Sequence, residues 1–158
     1  MESGTKIFAA ASVGMAFIII IAFIVDSQIE PGEDNDILDV CLQDHSGGQH
    51  SHVTLKIEVR GSVLQVPEET GNEPGCMRGI HTHTTGEDAG LHIEAPSSME
   101  ARLEHFFTIW DQPLTESALV DATVQSGESV TLTVDGVLVE DFQNHVLENG
   151  QYLLLELK

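Results

Sequence analysis

A chain of 158 residues is long enough for one ordinary domain with its own core and too short for two of usual size. Six Lys and Arg against 26 Asp and Glu give a formal net charge of −20, which repels phosphate backbones and argues against nucleic acid as a partner. The same acidity favours solubility and draws cations, but it names no ligand.

The first element is the run 7–25, "IFAAASVGMAFIIIIAFIV", which carries no charged residue and would span about 28 Å as a helix, close to the thickness of a bilayer core. A cleavable export signal has a shorter apolar stretch that ends in small residues. Here the small residues come first and "FIVDSQ" follows, so the pattern predicts an uncleaved, single-pass anchor in the lipid bilayer of the cell membrane. Lys6 precedes the run and acidic residues follow it. Counting cations only, that places residues 1–6 in the cytoplasm and the rest of the chain outside it. Residues 26–49, with Glu30, Glu33, Asp34, Asp36 and Asp39, read as an acidic tether too poor in apolar residues to pack. Cys41 ends "LDVC", yet it lies far beyond the apolar run and follows bulky Val40, so no lipidation is expected there.

A folded extracytoplasmic domain is expected over 50–158. In "HVTLKIEVRG", Val53, Leu55, Ile57 and Val59 alternate with polar residues, the period of a strand with one wet face. "SVLQVP" returns as its partner, and "ETGNEPG" is a loop. Residues 79–94, "GIHTHTTGEDAGLHIE", then hold three histidines and two glutamates. His81 and His83 project from one face of a strand, as do His92 and Glu94 on the next, and the turn formers between them predict an antiparallel hairpin. A register pairing His83 with His92 sets His81 opposite Glu94 and gathers four ligand-type side chains on one face. A slip of two residues preserves that face, and a slip of one destroys it. Imidazoles with a nearby carboxylate suit zinc or copper. The competing reading is a solvated polar face backed by Ile80, Leu91 and Ile93. His50 and His52 repeat the two-residue spacing on the neighbouring strand and are further candidate ligands, and Met77 shares parity with His81 and offers a thioether. His105 and His145 read as a helix residue and a loop residue.

"PSSMEARLEHFFTIW" has helical spacing, with Met99, Leu103, Phe106, Phe107 and Trp110 on one stripe and Ser97 with Glu100 as a capping box. "ESVTLTVDGVLVED", turning at Asp135-Gly136, and "QYLLLEL" close the chain as strands. Val53-Thr54-Leu55 recurs as Val130-Thr131-Leu132, suggesting two related strand pairs. The expected fold is therefore mainly β, an antiparallel sheet or sandwich-like arrangement of those pairs with one amphipathic helix, preceded by a transmembrane helix. Cys41 and Cys76, the two cysteines of a chain expected in an oxidising compartment, favour a disulfide worth about 3–4 kcal/mol by chain entropy. The alternative is Cys76 as a thiolate ligand.

"GCMRGIHTHTTGEDAGLHIEAP" followed by "LEHFFTIWDQPL" resembles a family of small exported or membrane-anchored archaeal and bacterial proteins, mostly uncharacterised, with an HTH-D segment, a glycine turn, an IHIE-like segment and an FFxIWGQP-like helix end. The resemblance covers about residues 50–114 and carries over His81, His83, His92, Glu94, Phe106, Phe107, Ile109, Trp110, Gln112 and Pro113, with His50 and His52 at an upstream HxH. Thr84 stands where that pattern has Asp. The resemblance implies a hairpin site and no particular reaction. Gly75, His81, His83 and Glu87 also resemble the first cupin motif, whose second motif is not matched. A cupin-like oxygenase or isomerase, or a zinc-dependent hydrolytic enzyme, is thus the enzymatic alternative, and a partner-binding β module the third. With no nucleophile constellation, phosphate loop or dinucleotide fingerprint, the sequence favours a membrane-anchored protein that binds copper or zinc through His81, His83, His92 and Glu94, with His50 and His52 beside them.

Overall fold

The computed structural model describes residues 36–158 apart from Ser46, Gly47, Thr84, Thr85, Glu87 and Ser97. The run 7–25 expected to be an anchor lies outside the described residues. Among those described, no helix is long and apolar enough to cross a membrane.

A seven-stranded sheet dominates. Its strands are β1 (Gln49–Val59), β2 (Ser62–Leu64), β3 (Ile80–Thr82), β4 (Ala89–Ala95), β5 (Val130–Val134), β6 (Val137–Val139) and β7 (Tyr152–Leu157). They lie in the order β6-β5-β7-β1-β4-β3, with β2 also paired to β1. The alternation in β1 buries Val53, Leu55 and Ile57, each at most 2% exposed, and leaves Thr54, Lys56 and Glu58 half-buried. Leu153, Leu155 and Leu157 do the same in β7, so the sheet's interior face is built from branched aliphatic side chains at period two.

Two hairpins, β1-β2 and β5-β6, turn at Arg60-Gly61 and Asp135-Gly136, each with two successive positive φ values, the geometry whose twist matches that of paired strands. These hairpins are where the two related strand pairs are expected, but counting from the turns aligns Leu55 and Ile57 with Val130 and Leu132, so the "VTL" match is two residues out of register and does not reflect equivalent positions. β7 lies between the pairs: Leu153 is opposite both Leu55 and Val134, and Leu155 is opposite both Ile57 and Leu132. Its pairing with β1 is parallel, so the sheet is mixed and not purely antiparallel. The chain reaches β7 through the 140–151 crossover, which delivers it in the direction of β1 instead of through a tight turn, the requirement of any parallel neighbour.

Two corrections concern the ends of elements. The tether expected over 26–49 does not extend to residue 49. Asp36 caps a 3-10 turn over Ile37–Asp39 by accepting from Leu38 N at 3.0 Å, and Ile37 and Val40 belong to the core. Cys41–Leu42 then pairs with Cys76–Arg78, which also pairs with Asn72–Glu73, and Cys41 is joined to Cys76 by a disulfide. A few apolar residues suffice to pack a segment that is covalently tied. The helix, α1, spans Leu103–Ile109 and starts later than the helical spacing predicts. Gln49 holds Met99 by its backbone, donating from Nε2 to the Met99 carbonyl and accepting from Met99 N. Ala101 O accepts from Leu147 N. Extended pairing therefore replaces the first helical turn, and His105 Nδ1 accepts from Arg102 N at the new start. Phe106, Phe107 and Leu103 are buried, at most 1% exposed, with the Trp110 ring tilted against both phenylalanines at centroid distances of 5.8 and 5.5 Å.

Candidate metal centre

The candidate ligands sit where β1, β4 and β3 adjoin. β3 and β4 form the expected antiparallel hairpin, and its register sets His81 opposite His92. That is the two-residue slip from the His83–His92 pairing, so the histidines keep one face. β1 and β4 set His52 opposite His92 and His50 opposite Glu94. A row His81–His92–His52 therefore crosses three strands, with Glu94 and His50 in the next row and His83 just beyond the end of β3. The opposite face carries Ile80, Leu91 and Ile93, all fully buried.

The histidine face is solvated only at its edges. His81 is 0% and Glu94 1% exposed, whereas His50 and His52 are exposed and His83 and His92 half-buried. A segment read as tether helps to cover it: His45 donates from Nδ1 to Glu94 Oε1 at 2.9 Å. Six of the eight histidines form one continuous array. Ring centroids are 5.1 Å apart for His45–His83, 4.8 Å for His83–His81, 5.4 Å for His81–His92, 4.5 Å for His92–His52 and 4.7 Å for His52–His50. Three ligand sets have their donor atoms within 4.8 Å of one another: His81, His92 and Glu94; His45, His81 and His83; and His50, His52 and His92.

Hydrogen bonding shows which nitrogens are free to coordinate. His81 Nδ1 lies 2.9 Å from the Arg78 carbonyl; a carbonyl only accepts, so Nδ1 carries the proton and Nε2 presents its lone pair. His81 Nε2, His92 Nδ1 and Glu94 Oε2 are all buried without a hydrogen-bond partner. An isolated buried polar atom of this kind costs roughly 1–3 kcal/mol. All three fall on His81, His92 and Glu94, residues that each offer a ligand atom within 4.8 Å of the others', a donor set of two imidazoles and a carboxylate to which zinc or copper is chemically suited. A metal would draw such atoms together, since bonds of about 2.0–2.1 Å imply ligand separations near 3.4 Å in a tetrahedron.

Electrostatics favour the forms that coordinate. Burial lowers the pKa of His81, against the opposing hydrogen bond to Arg78. The His92 imidazole is pushed down to about 4 by burial and by the neighbouring His52, His83, His81 and His50. Burial works against ionisation of Glu94, but the His45 hydrogen bond and the histidines around it hold its carboxyl below the usual value. The cluster is thus two neutral imidazoles beside an anionic carboxylate, the state a divalent cation binds.

His50 and His52 join the array, as their spacing suggested. His45 and Glu69, whose Oε1 lies 3.9 Å from His83 Nδ1, did not stand out in the sequence. Cys41 carried the signal for His45: four residues past a cysteine bridged to Cys76, it can lie at most about 14 Å away along the chain, near the strand leading into His81. Met77 is not part of the array, because Gly79 separates its strand, in the small sheet, from β3. His105 serves the helix start, and His145 faces Gln151 at 3.2 Å. Glu87, the fourth position of the cupin resemblance, lies outside the described residues, and the sheet is an open path ending at β6 and β3 instead of a barrel. The disulfide removes Cys76 as a thiolate ligand. No protein-family model, curated protein or solved structure matches the chain.

Proposed function

We propose that this protein binds a transition metal, copper or zinc, on the extracytoplasmic side of a membrane to which residues 7–25 anchor it. The observation that carries the metal reading is that His81, His92 and Glu94, grouped with ligand atoms within 4.8 Å of one another, each hold a buried, unpartnered ligand-type atom, His81 Nε2, His92 Nδ1 and Glu94 Oε2. A polar face used only for solubility would hold these atoms in contact with water. A purely structural core would pair them with one another, as protein interiors do with nearly all buried polar groups. The extracytoplasmic assignment rests on the uncharged apolar run with Lys6 before it, and on a disulfide close behind the anchor, the kind of bridge that persists where thiols oxidise.

The test is metal titration of the purified full-length chain, with His81→Ala/His92→Ala/Glu94→Gln as the comparison. The parent is expected to retain stoichiometric copper or zinc through gel filtration, and the triple variant to lose at least a hundredfold in affinity. Equal binding by parent and variant would assign these side chains to a polar network with no metal.

A further inference from the structure

The array offers more imidazoles than one ion takes. A four-coordinate zinc or copper site uses three or four protein ligands, whereas six histidines and Glu94 adjoin one another here. Two of the three ligand sets share no residue. His45, His81 and His83 form one, and His50, His52 and His92 the other. The third set, His81, His92 and Glu94, takes one histidine from each and adds the carboxylate. Glu94 Oε1 lies 2.9 Å from His45 Nδ1 and 3.5 Å from His50 Nε2, one histidine of each set, while Oε2 is buried without a partner. A carboxylate so placed sits between two histidine triads and supplies negative charge to both.

We infer that the array is a two-ion centre, with one transition-metal ion held by His45, His81 and His83, a second by His50, His52 and His92, and the Glu94 carboxylate spanning them. This rests on the metal-binding reading above and adds its stoichiometry and division of ligands. The sheet explains the division. The second triad comes from β1 and β4, which pair directly, whereas the first combines the end of β3 with a residue that follows the Cys41–Leu42 strand. The His83–His92 and His81–His92 ring separations, 4.7 and 5.4 Å, place the two sets side by side, so that two copper(II) ions in them interact magnetically.

The experiment is copper(II) titration of the full-length chain, followed by native mass spectrometry and electron paramagnetic resonance. The parent is expected to take up two ions and, when fully loaded, to give a signal that integrates to well under two spins per chain. His45→Ala/His83→Ala and His50→Ala/His52→Ala are each expected to hold one ion with an uncoupled, one-spin signal. These four residues are exposed or half-buried and lie outside the apolar core, and the parent's spin count tests the pairing independently of any variant. Saturation of the parent at one ion would overturn the two-ion centre and leave single-site metal binding standing. No uptake at all would overturn both. Two ions with magnetically independent signals, or pair variants that both keep two or both lose two, would overturn the division into triads.

Discussion

An imidazole that gives its Nδ1 proton to a backbone carbonyl has only Nε2 left to offer, and at His81 that nitrogen is buried without a protein partner. Its depressed pKa, and that of His92 at about 4, have burial as their first cause: a charge added there is taken out of water and meets other imidazoles. The unfolded chain protonates these histidines near pH 6.5, the folded chain only at lower pH, so between about 6.5 and 4 the unfolded state binds more protons and stability falls as pH falls. Glu94, with its carboxyl below the usual value, adds a loss in the same direction as pH drops through the carboxylate range. Urea unfolding of the metal-free chain should therefore show a midpoint that declines from pH 7 to pH 4. His92→Gln, which cannot titrate, should flatten much of that decline. Equal midpoints for the parent at pH 7 and pH 4 would contradict the buried, neutral state of these rings.

At the scale of elements, the position of His81 depends on a neighbouring turn. Gly71 has φ +83°, and a Cβ there would meet the Ile80 carbonyl oxygen at 2.6 Å and His81 Cβ at 3.0 Å. Gly136 has the same φ, with open space around it. Gly71→Ala and Gly136→Ala therefore carry similar backbone strain, of order 1–3 kcal/mol, but only the first pushes on the ligand strand. Gly71→Ala should lower zinc or copper affinity about tenfold or more, while Gly136→Ala destabilises the fold with affinity unchanged, as calorimetric titration of both variants would measure. Equal affinities would mean that the turn does not position His81. Such contacts mark where sequence reading stops. Period-two alternation located β1 and β4, and the Asp135-Gly136 pair located the turn between β5 and β6, because each depends on neighbouring residues alone. The histidine face was legible for the same reason, since spacing by two keeps the ligands of each strand on one side, and a register slip of two preserves the shared face. The parallel neighbour of β7, the covering of the face by His45 and the late start of α1 arise from partners distant in sequence, Thr54–Val59, Glu94 and Gln49. No local pattern encodes them.

At the scale of the whole molecule, the charge of −20 bears on metal capture without holding the ion. An acidic surface raises the local concentration of cations, but at physiological ionic strength that influence decays over about 8 Å, so selectivity rests with the imidazoles. Where the chain would meet the proposed metal depends on its topology. The run 7–25 carries no charge, Lys6 alone supplies a cationic side chain before it, and the next cationic residue after it is Lys56; by the cation rule this is the ground for the proposed orientation, N-terminus inside and β domain outside. The Cys41–Cys76 bridge agrees with that proposed side, since cytosolic thiols are kept reduced. An impermeant protease applied to intact cells should then remove the β domain and leave a membrane-embedded N-terminal fragment. An impermeant thiol reagent should label neither cysteine unless a reductant is added first. A mature chain that begins after Val25 and is free in the medium would replace the anchor by a cleaved export signal, and a domain that resists protease until the cells are lysed would reverse the orientation.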